Sequence, residues 1–267
     1  MFRFALALLA AFSISQAAAH EYYLMPGSFT AETGAELPVR HRLGQRFNGN
    51  EMPYIGRWNV RSEVWKSGEK IEEVRGIDGD RPALTIVPET DGLYSIIHQS
   101  NHSTYAPGSW EKFSTYLTNE KLAAIIAAHD ARGLDKEAAS EAYARYAKTL
   151  VAVGDGTGAD APTGLAIELV ALENPVTFNV AKPLPVQLLF DGKPLAGRSV
   201  KLFVGIDTEP KGYFLTDANG VMRIPAQGKG PYLLNAIEMI EPRSDTAEAK
   251  AAQWESFWAS LTFQRGR

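Results

Sequence analysis

The sequence predicts a mainly β protein with two Ig-like β-sandwich lobes and a helical insertion between them. Three observations carry this. Residues 20–105 and 165–267 are series of short β-branched or aromatic runs separated by turn clusters. Residues 109–150 switch to helical spacing. Finally, none of the 267 residues is Cys. Apolar cores rather than disulfides must hold each lobe.

Residues 1–19, "MFRFALALLA AFSISQAAA", place Arg3 before an apolar run and end in small residues arranged A-x-A. This predicts a cleavable signal peptide, its apolar run too short to span a bilayer as a helix. Cleavage after Ala19 would leave His20 first. The chain is then expected to be exported to the periplasm and not embedded in the membrane.

The N-terminal sandwich is predicted over 20–108. "EYYLM", "ELPVRHRL", "RWNVRSEVW", "PALTIV" and "LYSIIHQS" read as its strands, with "PGSFTAETG", "FNGNEMP" and "DGDRP" as turns. In "ELPVRHRL", Val39, His41 and Leu43 face one way and Arg40 and Arg42 the other. The helical insertion is predicted over 109–153. Ser109 caps a first helix carrying Phe113, Tyr116, Leu117, Leu122, Ile125 and Ile126 at helical spacing, which Gly133 stops. A second helix is expected from Lys136 to Val151, with Tyr143, Tyr146, Ala147 and Leu150 on one face. Residues 154–164, "GDGTGADAPTG", read as a linker. The C-terminal sandwich is predicted over 165–267, with strands in "LAIELVAL", "LPVQLLF", "RSVKLFVG", "GYFLT", "VMRIP", "GPYLLNAIEMI" and "FWASLTF". Asp191-Gly192 and Asn219-Gly220 are hairpin signals within it, and residues 244–256 read as a loop or short helix.

The chain carries 27 Lys and Arg against 31 Asp and Glu, a net charge of −4, so no nucleic-acid surface is expected. It shows no phosphate loop, no G-x-S-x-G and no H-E-x-x-H. The chemistry therefore falls to histidine. A His at the N-terminus offers an α-amine and a ring Nδ1 on one residue, a chelating pair suited to Cu, Ni or Zn. One further imidazole would complete a histidine brace. His20 is thus the first candidate ligand, with His98 and His102 in "GLYSIIHQSNHSTY" as candidate partners. His41 faces the apolar side of its strand and reads as a core histidine, and His129 reads as a cation at a helix C-terminus. Glu21 and Glu238, the latter set in the apolar run "NAIEMIEP", are the carboxylates placed to matter. The aromatic residues sit in strand and helix patterns, which favours core packing over a sugar platform.

The stretches "AHEYYLMP", "GQRFNGNEMPY", "SWEKFSTYL", "EAYARYAKTLVAVGDG", "FDGKPLAG", "TDANG", "GPYLLNA" and "WESFWASLTF" together resemble a domain-of-unknown-function family of bacterial periplasmic proteins. Its members are labelled as predicted metal-binding or NikM-like nickel/cobalt-transport accessory proteins. The resemblance spans almost the whole chain after residue 19. It implies export, a β-sandwich, and a C-terminal half of the transthyretin-like or carboxypeptidase-regulatory type. The family's leading His carries over to His20. Where the family pattern has His-Met this chain has Glu238-Met239, so a ligand site there has either lost affinity or uses a carboxylate in place of an imidazole.

The expectation from residues and resemblance together is a non-enzymatic periplasmic protein. It would bind a divalent transition metal, Cu or Ni/Co, through His20, His98, His102 and Glu238. It would act as a carrier or uptake accessory to a metal transporter or outer-membrane receptor. Two other classes stay open: a non-metal binding or assembly module of the periplasm, and a copper mono-oxygenase-like enzyme.

Overall fold

The computed structural model describes residues 20–266. The predicted signal segment, residues 1–19, lies outside the described residues. The first region forms β1 (Glu21–Pro26), β2 (Thr30–Ala31), β3 (Leu37–Gln45), β4 (Asn48–Met52), β5 (Asn59–Lys66), β6 (Glu69–Glu73), β7 (Leu84–Ile86), β8 (Gly92–Ser100) and β9 (Ser103–Tyr105). Helices α1 (Trp110–Asn119) and α2 (Ala123–Ala131) follow, then β10 (Glu141–Val153). The rest forms β11 (Ile167–Ala171), β12 (Leu184–Phe190), β13 (Lys193–Pro194), β14 (Ser199–Val204), β15 (Gly212–Leu215), β16 (Val221–Ile224), β17 (Gly230–Ile240), α3 (Ala247–Ala251) and β18 (Trp254–Arg265). The protein is mainly β, as the sequence predicts. No helix among the described residues is long and apolar enough to cross a membrane.

The strands make three sheets. A ten-stranded sheet runs β15-β14-β17-β18-β10-β8-β5-β6, with β2 and β9 also on β10. One four-stranded sheet, β1-β3-β4 with β7 on β3, covers one face of it. Another, β11-β12-β13 with β16 on β12, covers the other. The long sheet thus serves both sandwiches. Residues of β8 and β10 alternate between the two cores: Leu93, Ile97, Ala144, Tyr146 and Leu150 pack on one side. Tyr94, Ile96, Ala147 and Val151 pack on the other.

That sharing explains the main correction to the sequence reading. Residues 141–153 form no helix; they are the strand β10. Buried on both faces, β10 shows no polar–apolar alternation, and its run of Ala, Tyr and Leu mimics a helical face. It pairs antiparallel with β8 and parallel with β18, from Glu141 opposite Trp254 to Thr149 opposite Thr262. Two further strands were hidden in turn and charge patterns. In β4, Gly49 lies so close to β3 that a Cβ there would come within 2.8 Å of the Leu43 backbone. The wholly exposed "EKIEE" of β6 is a charged sheet edge.

The predicted first helix is two. Ser109 does cap α1, its hydroxyl accepting from the Lys112 amide at 3.4 Å, and Phe113, Tyr116 and Leu117 are buried. The chain then breaks at Lys121, whose φ is +63°. Ser109→Ala should lower stability by about 1 kcal/mol, read as a shift in urea midpoint with an unchanged slope. Over these helices Ile237, Met239, Trp254 and Trp258 complete an apolar cluster. His129 departs from its predicted role as a cation. It is buried, burial lowers its pKa, and its neutral Nδ1 accepts from the Trp254 indole at 3.0 Å.

Asp191 and Gly192, at φ +50° and +72°, make a two-residue turn of the I′ kind. It joins β12 to the short β13 rather than to β14. The Asn219-Gly220 turn, by contrast, passes the chain between sheets, from β15 to β16. The predicted linker 154–164 is irregular but not a loose tether. Its Asp160 and Thr163 are buried. Asp160 takes Lys148 Nζ at 3.1 Å, and Thr163 donates to Glu168. Lys148 also lies 2.6 Å from Glu168 Oε1. Burial works against the charge on Lys148, but Asp160 and Glu168 outweigh it and hold its pKa above the ordinary value.

Candidate functional site

The period-two geometry of β3 turns Leu37, Val39 and His41 inward. On the facing sheet, β8 presents Tyr94, Ile96 and His98 to the same core. The two strands therefore bring His41 and His98 together across the sandwich, ring centroids 4.4 Å apart at 50°. They are 4% and 5% exposed. Tyr22 of β1 closes the group, its ring 5.7 Å from His41 and 5.5 Å from His98.

Both imidazoles are neutral near pH 7. Burial drops His41 to about 4. Burial, then the charge of His41, drops His98 well below the ordinary range. Ser62 stands opposite His98 in the β5–β8 ladder. Its hydroxyl gives its one hydrogen to Asn59 Oδ1 at 2.6 Å and lies 3.1 Å from His98 Nδ1. Nδ1 is therefore the protonated nitrogen, and Nε2 keeps its lone pair. His41 Nε2 is buried with no hydrogen-bond partner among the described residues. Burial also pushes the Tyr22 phenol far above its ordinary value, so it stays protonated.

The pair lines a cavity of about 220 Å³ between the sheets, walled also by Tyr22, Met52, Trp58 and Arg145. Arg145 projects from β10. Its guanidinium lies over the rings of Tyr22 and Tyr143, at 5.4 and 5.2 Å. Its Nη1 donates to the His20 carbonyl at 3.3 Å. Arg145 makes no ion pair among the described residues. It also borders a second cavity of about 200 Å³, which holds His20, Tyr116, Glu141 and Trp258. Burial raises Glu141 to about 7 there, against hydrogen bonds from Ser256 and Tyr116.

The four ligands expected from the sequence do not converge. His20 sits in the second cavity, its ring pKa lowered by burial and then by Arg145. His98 sits in the first. His102 Nε2 bonds Glu255 at 2.9 Å. The same carboxylate also accepts from the Arg243 and Ser244 amides at 2.8 and 3.0 Å and from the Ser244 hydroxyl. Burial opposes the charge on Glu255, but these bonds hold its pKa below the usual range. His102 is thereby tied into a fold-holding network. Glu238 is gripped by one edge of the Arg198 guanidinium, through Nε and through Nη2 at 2.8 Å. No group of three or more His, Cys, Asp or Glu among the described residues is placed to hold a metal. The residue that sequence reasoning assigned to the core, His41, is the one that meets His98. Its inward position was legible from alternation, but which strand faced it was not.

No curated protein matches the chain. Among solved structures it is similar to the D0-D1 domain of intimin, at 12% identity over 90% of this chain and 96% of that one, with a TM-score of 0.22. It is also similar to Salmonella alpha-2-macroglobulin reacted with methylamine, at 11% identity over 91% of this chain and 14% of that one, TM-score 0.24. At such scores the likenesses decide nothing, and the fold rests on the chain's own strands. A family profile, by contrast, matches residues 17–239. The chain belongs to the DUF4198 family, a domain of unknown function.

Proposed function

We propose that this is an exported protein that carries a divalent transition metal in the periplasm, as an uptake accessory of the nickel/cobalt kind. Its protein ligands are His41 and His98, and the reading rests on that pair. Two buried imidazoles, both neutral at pH 7 and both with a nitrogen free of protein partners, form a donor set suited to Ni, Cu or Zn. Leaving the buried His41 Nε2 unbonded costs free energy, and a bound cation removes that cost. Ser62 orients His98, as outer partners orient metal-bound imidazoles.

The buried position favours a carrier over a copper mono-oxygenase, whose metal must meet its substrate on an open face. His20 is not needed as a ligand in this reading. It lies in the second cavity, apart from the pair.

Calorimetric titration of the processed protein with Ni(II) or Cu(II) tests the proposal. His41→Leu and His98→Leu should each weaken binding at least tenfold, while folding cooperatively. A chain with one extra Ala before His20 should bind as the wild type does. Absence of binding by the wild type, to the free ion and to a chelate of it alike, rejects the reading, as does binding that both leucine variants retain.

A further inference from the structure

Three features of the His41–His98 cavity do not suit a bare dication. The cavity is about 220 Å³, many times the roughly 10–15 Å³ that one water needs on the same measure. The two imidazoles are neutral and fill two coordination positions of the four to six these metals take. No Asp or Glu joins them among the described residues. The charge that does line the cavity is a cation, Arg145, half-buried and without an ion pair among the described residues. A lone dication drawn out of water into this site would meet no counter-charge and one like charge.

We infer that the cargo is a metal–carboxylate chelate, a small polycarboxylate complex in which His41 and His98 fill open positions on the metal while Arg145 binds a carboxylate of the chelator. This rests on the metal-binding reading above. One of five Arg145 N–H donors goes to the His20 carbonyl. The others have no protein acceptor among the described residues and suit a two-pronged grip on a carboxylate. The rings of Tyr22 and Tyr143 against the guanidinium hold its position while leaving those donors free. The chelator brings the negative charge that the walls lack, together with further oxygen donors.

The test is calorimetry on the processed protein with three probes: Ni(II), a 1:1 Ni(II)–citrate complex, and citrate alone. The wild type should bind Ni(II)–citrate at least tenfold more tightly than Ni(II). Arg145→Gln should erase that advantage without weakening Ni(II) itself. Arg145→Lys, which keeps the charge, should retain part of the advantage, and this variant guards against misreading a folding defect in the first. His98→Leu should weaken both nickel forms. Equal affinity of the wild type for Ni(II) and Ni(II)–citrate overturns the inference and leaves metal binding intact. An advantage that survives Arg145→Gln does the same. Citrate bound as tightly as its nickel complex, and unaffected by His98→Leu, also overturns it and makes the cavity an anion site. Failure of both nickel forms to bind removes the metal reading and this inference together.

Discussion

Lys148→Met should lower the unfolding free energy by about 3–5 kcal/mol at pH 7, the largest loss expected from any single change considered. The Lys148 side chain is fully enclosed, with its ammonium bound to Asp160, Glu168 and the Ala161 carbonyl. Methionine fills the space but strands two carboxylates in the core. Their other partners stay, since Asp160 also accepts from Ser95 and the Ala171 amide, and Glu168 from the Thr163 amide and hydroxyl. The site is therefore left with hydrogen bonds but without its cation. Urea midpoints of wild type and variant at pH 7 measure the loss. A loss under 1 kcal/mol at pH 7 would show that water reaches the triad.

The second large effect is a pair of opposed pH dependences. In the metal-free protein, His41 refuses a proton until about pH 4, whereas the unfolded chain accepts one near 6.5. The unfolded state binds more protons in that window, so His41 removes roughly 3 kcal/mol of stability between pH 7 and pH 4. His98, shifted the same way, adds to the loss. Glu141 works in the other direction. Its folded-state pKa of about 7 lies above the ordinary 4.5, so the folded state holds the extra proton there. That contribution is fully present below about 4.5 and is lost as pH rises through 7, again by roughly 3 kcal/mol. The wild-type profile should consequently be shallow, and difference curves expose the parts. Relative to wild type, His41→Leu should gain stability as pH falls to 4. Glu141→Gln should gain it as pH rises from about 4.5 to 7. Parallel profiles for all three proteins would refute the burial of these groups.

Much of the architecture was legible because most strands are half-buried. Val39 and His41 alternate with Arg40 and Arg42, and "LPVQLLF" and "GPYLLNAIEMI" are β-rich runs between turn residues. The reading failed where burial was two-sided or absent. Strand β10 looked helical because both its faces are apolar, and β6 looked like loop because it has no buried face. The candidate site was legible residue by residue but not as a group. His98 was singled out and His41 was correctly turned inward. That these two touch depends on how β3 stacks across β8, a choice made by the packing of whole sheets and not by local spacing. Glu238 and His102 drew notice as polar residues in or beside apolar strands. Their partners, Arg198 and Glu255, are forty and more positions away.

The parallel pairing of β10 with β18 has a consequence for how the chain folds. Residues 254–265 occupy the middle of the long sheet, between β17 and β10, far along the chain from residues 141–149 with which they pair. Contacts this distant along the chain form slowly. The two wings of the long sheet therefore stay unjoined until that last-arriving keystone docks between them, and its docking sets the pace of refolding.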